Sequence, residues 1–177
     1  MVGKGLADKV EGVQGRKINF HGSKNCMDSW GCWKYAIKKL GEPRVSTKYL
    51  EDKFQEYNLM YFKNELKYCT IKFDTLELHG AWGRYYSPKS AMCRYGIENS
   101  VILIDINVTY AHDILLRNLL IHEMIHMYID EVLHLGSIEP SHGKTFQRIR
   151  RELNKSYNLR IDDKQIYSEL PMLDYTI

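Results

Sequence analysis

Residues 114–129 are the longest apolar stretch of this 177-residue chain, within a helix expected over 114–133, and they carry a conflict that any fold must resolve. A helix over this span is hydrophobic nearly all round, so it belongs in a core. Yet Arg117, Asn118, His122, Glu123 and His126 interrupt it. Those interruptions exclude a membrane span, which needs roughly 18–20 apolar residues in a row. Burying a carboxylate and two imidazoles among Leu119, Leu120, Ile121 and Met124 is costly unless each finds a partner. The core must therefore supply one.

The spacing says which partner. His122-Glu123-Met124-Ile125-His126 is an HExxH pattern, with its histidines one helical turn apart on the same face. One zinc ion can accept both nitrogens at about 2.0–2.1 Å. Glu123 sits roughly 100° around the helix from His122, within reach of a metal-bound water without occupying the metal. The alternative is two histidines and a glutamate that merely pack in the core.

A catalytic zinc site also needs a third protein ligand and an open position. The longer HExxHxxGxxH pattern is excluded, because Ile129 and Val132 stand at its two further positions. His134, Glu139, His142 and Glu152 remain. His134 falls two turns along the same helix and points away along its axis. Glu139 lies in a loop, 135–143, that leaves its position open. His142, Phe146, Ile149 and Leu153 recur at steps of four, three and four, so His142 prolongs the apolar stripe of a last helix over 144–156. Gly143 beside it permits close backbone approach. His142 is the favoured third ligand, and Glu152, turned off that stripe, is its main rival.

Mixed elements surround the motif. Cys26, Trp30, Trp33, Ile37 and Leu40 form a helical stripe over 23–40 that Gly41-Glu42-Pro43 ends. Ser46 or Thr47 can cap a second helix whose apolar face runs Leu50, Phe54, Tyr57 and Tyr61. Tyr68–Phe73 and Ala81–Ser87 read as strands. Residues 100–108 read as a third, alternating Ile102, Ile104, Ile106 and Val108 with Val101, Leu103, Asp105 and Asn107. A weak strand is expected at Leu159–Asp162. The class is α+β, divided into a basic N-terminal extension with one helix (1–45), a domain over 46–162, and a C-terminal tail (163–177).

Charge is unevenly spread. Residues 1–50 hold ten Lys or Arg against four Asp or Glu, a balance of +6, whereas 51–177 hold fifteen against eighteen, a balance of −3. On the last helix, opposite the apolar stripe, Lys144, Arg148, Arg151 and Lys155 recur at four, three and four, and Arg150 adds to the charge. Such a row can follow a phosphate backbone, or simply be a solvated face. The four cysteines form no CxxC pair, and reduced thiols are expected. His21, Cys26 and Cys32 match no standard metal spacing. The leading MVGKGLADKV has no apolar signal region, so a cytoplasmic protein without a membrane partner is expected.

HEMIHMY, followed after a loop by SHGKTF, resembles the SprT-like (Spartan) zinc metalloproteases, in which a histidine of an HGxxF segment completes the HExxH site. The run Tyr57-Asn58 to Glu65-Leu66 is similar to that family's first-helix pattern, and AWGRYYS with NSVILIDIN is similar to its strands. The resemblance spans roughly 46–162. It implies a zincin-like fold: a small sheet over an HExxH helix, with flanking helices. It further implies one Zn²⁺ per chain on His122, His126 and His142, with Glu123 as general base of a zinc-dependent endopeptidase. A protein or peptide substrate is expected, extended along an exposed edge of the 100–108 strand, with DNA as a second partner through substrates carried on it. Tyr85 and Tyr167 are candidate second donors to the developing oxyanion. Two other readings stand: a non-proteolytic zinc-stabilised DNA-binding module, and a zinc hydrolase for a non-peptide substrate.

Overall fold

Ser46 is the cap. In the computed structural model, which describes residues 43–74, 81–110 and 113–163, its Oγ accepts from the Tyr49 amide at 3.0 Å and opens helix α1 (Thr47–Tyr61). Leu50, Phe54 and Tyr57 turn into the core, and Asn58 goes with them. The Asn58 amide then donates to the Leu66 carbonyl at 2.9 Å and accepts from the Leu66 amide at 3.1 Å. That pair holds a turn in which Lys63 and Asn64 both take left-handed backbone, at φ 54° and 60°.

Three strands follow: β1 (Cys69–Asp74), β2 (Gly83–Tyr86) and β3 (Ser100–Asp105), in the order β1-β3-β2. β1 runs parallel to β3 and β2 antiparallel to it, with Tyr85 opposite Ile102. This corrects the expectation of an exposed edge on the 100–108 strand. β3 is central and paired on both sides, so it offers no open edge; among the described residues the outer strands are β1 and β2. All six of its residues are buried, so both alternating faces pack against apolar layers. Ile102 and Ile104 enter the main core, while Val101 and Leu103 meet Ala91 in a second cluster. That second layer is helix α2 (Pro88–Tyr95), which the sequence reading did not anticipate. It has Pro at its start and ends on Gly96 at φ 64°. Beyond Asp105 the chain tightens into a 3₁₀ turn, Ile106–Tyr110, so the strand is shorter than expected.

The apolar helix is α3 (Asp113–Met127), and it too ends early. Tyr128–Val132 widens into a π turn, closed by the Leu133 amide donating to the Tyr128 carbonyl at 3.0 Å. His134 lies outside the helix, exposed, at φ 57°. Helix α4 (Lys144–Tyr157) begins after Gly143 and buries Phe146, Ile149 and Leu153 as the periodicity requires. Among the described residues, 159–162 pair with no strand, and Leu159 and Ile161 are buried against the core. α1, α3, α4 and one face of the sheet enclose a single main core. Among the described residues no helix is long and apolar enough to cross a membrane. The expected helix over 23–40, the His21, Cys26 and Cys32 trio, and Tyr167 lie outside the described residues.

Candidate metal centre

α3 brings His122 and His126 to one side, and the loop before α4 brings His142 to meet them. Their Nε2 atoms form a near-equilateral triangle: 3.2 Å between His122 and His126, 3.2 Å between His122 and His142, and 3.1 Å between His126 and His142. Nitrogens so spaced share a common point about 2.0–2.1 Å from each, the zinc–imidazole bond length. The Phe146 ring supports all three, with centroids 4.9, 4.8 and 4.7 Å from those of His122, His126 and His142. The histidine and phenylalanine of SHGKTF therefore pack as one unit, edge to face.

The donor chemistry suits a cation. His122 Nδ1 donates to the Asp162 backbone carbonyl at 2.7 Å, which leaves its Nε2 with the lone pair. Burial pulls the His122 pKa down to about 4, and the nearby His142 and Arg150 act in the same direction. His126 is pulled down to about 2, chiefly by burial and then by its two histidine neighbours. Burial lowers His142 as well. Burial thus favours the uncharged form of all three rings, the form that can offer a lone pair to a cation. Among the described residues these three histidines are the one group of candidate ligands close enough to share an ion.

Glu123 is 1% exposed and borders a cleft of about 600 Å³ that His126 and His142 also line. Its seat depends on β2. A Cβ on Gly83 would lie 2.7 Å from Glu123 Oε1 and 3.0 Å from its Cγ, so any larger residue displaces the carboxylate or the strand. Across the cleft the Tyr85 hydroxyl lies 2.8 Å from Asp130 Oδ2 and 3.0 Å from Glu131 Oε1, both on the π turn. Burial, then the Glu131 charge, pushes its pKa far above the ordinary tyrosine range. Its single proton is held by those carboxylates, so Tyr85 is not set to donate to a substrate oxyanion.

The other candidates lie elsewhere. Glu152 is exposed and pairs with Arg148 at 3.3 Å on the outer face of α4. Glu139 caps α4 instead of binding a metal: its carboxylate accepts from the Thr145 amide at 3.1 Å and the Thr145 hydroxyl at 2.9 Å. Lys144, Arg148, Arg151 and Lys155 are all exposed, whereas Arg150 turns inward to Gln147 and the Ile161 carbonyl. The sequence reading missed Gly83, the Asp162 carbonyl and the Glu139 cap. A glycine among the aromatic residues of a strand was the one available signal, since it marks close approach.

A buried helix with two histidines one turn apart, a third from the following loop and a small sheet alongside define an α+β protein with a three-histidine site able to hold a metal ion. A profile of the SprT-like family matches residues 50–165, and the chain belongs to that family. A search of curated proteins finds no match.

Proposed function

We propose that the protein is a zinc-dependent endopeptidase with a zincin-like fold, holding Zn²⁺ on His122, His126 and His142. The observation that carries the proposal is the triangle of imidazole nitrogens at the wall of a cleft that Glu123 also borders. Zinc bound there would lower the pKa of a water and polarise a carbonyl. Glu123 takes the proton of the attacking water and returns it to the leaving amine. Its buried position keeps it beside the reacting atoms and away from competing solvent. β2, an outer strand of the described sheet that lines the cleft, is the strand beside which an extended peptide docks. β2 therefore replaces the 100–108 strand as the expected docking edge.

A second reading concerns where substrates are found. Lys144, Arg148, Arg151 and Lys155 share the exposed face of α4, opposite the face that docks on the core. That face fits a phosphate backbone, and the enzyme would then act on proteins held on DNA. Without proteolysis, the same face would serve a zinc-stabilised DNA-binding module.

Cleavage of casein and of a histone, with and without DNA, tests the reading. Zinc-loaded protein should cleave, a chelator should stop it, and restored zinc should revive it. If the zinc-loaded protein cleaves neither substrate under either condition, the endopeptidase assignment falls.

A further inference from the structure

Among the described residues the segment after α4 has no strand partner, yet it is tied down at consecutive residues. Asn118 on α3 donates to the Arg160 carbonyl at 3.0 Å. Asn154 on α4 clasps the next residue at both ends: its Nδ2 donates to the Ile161 carbonyl at 3.0 Å, and its Oδ1 accepts from the Ile161 amide at 2.9 Å. Arg150 adds a second bond to the same carbonyl at 3.2 Å. Leu159 and Ile161 sink into the core. One residue further on, the Asp162 carbonyl meets His122 Nδ1 at 2.7 Å. Polar groups from two helices thus converge on a strap whose next carbonyl, that of Asp162, sets a candidate ligand's tautomer and ring angle.

We propose that Asn154 is a positioning residue for the metal site: by clasping Ile161 it holds the Asp162 carbonyl against His122. This rests on the metal reading above. The geometry makes the effect specific. Asn154 touches no histidine, so it acts only through the strap. The Asp162 contact is made by backbone, so it is reached through what holds the strap, and Asn154 is the side chain that bonds both the amide and the carbonyl of Ile161. Outer partners of metal-bound histidines typically carry 10–100-fold in metal affinity, because a misaimed ring gives a poorer ligand.

The experiment measures zinc affinity of the full chain by competition with a chelator, the absorption bands of the cobalt-substituted protein, and the melting temperature of the metal-free protein. Asn154→Leu keeps the branched shape and the number of side-chain heavy atoms, and removes both bonds of the clasp. It should weaken zinc by roughly tenfold or more and shift the cobalt bands. Asn154→Asp keeps the acceptor for the Ile161 amide and should lose less. Leu50→Ala, in the core face of α1, should lower the melting temperature without moving the cobalt bands or the zinc affinity. The proposal falls if wild type binds zinc and Asn154→Leu binds it equally. It falls too if Leu50→Ala moves the bands as much. Should Asn154→Leu not fold, unchanged affinity in Asn154→Asp overturns it. A wild type that takes up no zinc overturns the metal reading itself, a separate result.

Discussion

Glu123 is sealed almost completely in the protein and still reaches the cleft, which suits a group that must exchange one proton with one water. Glu123→Gln keeps the shape and removes the basicity. Proteolysis should fall by about 10²–10⁴ while zinc content stays at one per chain. His142→Ala removes a donor instead, so metal and activity should be lost together. Zinc analysis beside a cleavage assay separates the two roles, and normal cleavage by Glu123→Gln would remove it as the base. The histidines give a pH signature in metal-free protein. Their folded pKa values lie below the unfolded value of about 6.5. Under that pH the unfolded chain binds more protons, so stability is full above about 6.5 and falls as pH drops toward about 4. Melting of chelator-treated protein at successive pH values should show that decline. A flat profile would mean the rings are not held neutral.

At the scale of elements, the tightest fit is β2 against α3. Gly83→Ala would place a methyl group where Glu123 Oε1 now lies within 2.7 Å, and Leu119 Cδ1 closes the other side at 3.0 Å. Zinc uptake should survive, because no histidine is touched, while cleavage should drop by roughly tenfold or more as the base is displaced. Unaltered cleavage would show that the strand yields instead. The motif and the stripe through Phe146, Ile149 and Leu153 were legible because both depend on the 3.6-residue period alone. The centrality of β3 was not, since strand order depends on pairing between β1 and β3 across some thirty residues. α2 left signals, Ser87-Pro88 at one end and Gly96 at the other, but one helix of eight residues offers little periodicity. The π turn left none, and it is what carries Asp130 and Glu131 to Tyr85. His142 was legible as a candidate through its stripe. Glu152 was separable from it only once the exposed Arg148 pair was seen.

Across the whole molecule, α4 joins two surfaces: Phe146 on its inner side underlies the histidines, and its outer side carries the cations. If that outer side binds duplex DNA, four phosphate contacts predict a salt slope near −3.6, or about 150-fold weaker binding between 50 and 200 mM salt. Arg148 already shares its charge with Glu152, so the measured slope should be somewhat shallower. Arg148→Glu with Arg151→Glu removes two contacts, leaving a slope near −1.8 and only about a 12-fold change over the same range. Reversal also repels the backbone, so affinity at 50 mM should fall as well. Neither substitution faces the core or the histidines, and zinc content should not change. Binding titrations of both proteins against two unrelated duplexes at each salt level decide the matter. Binding should be nearly sequence-blind, because the row can contact phosphates but presents no base-reading element. If the slopes of the two proteins coincide, the DNA surface is not α4, and the basic residues before position 50 become the place to look.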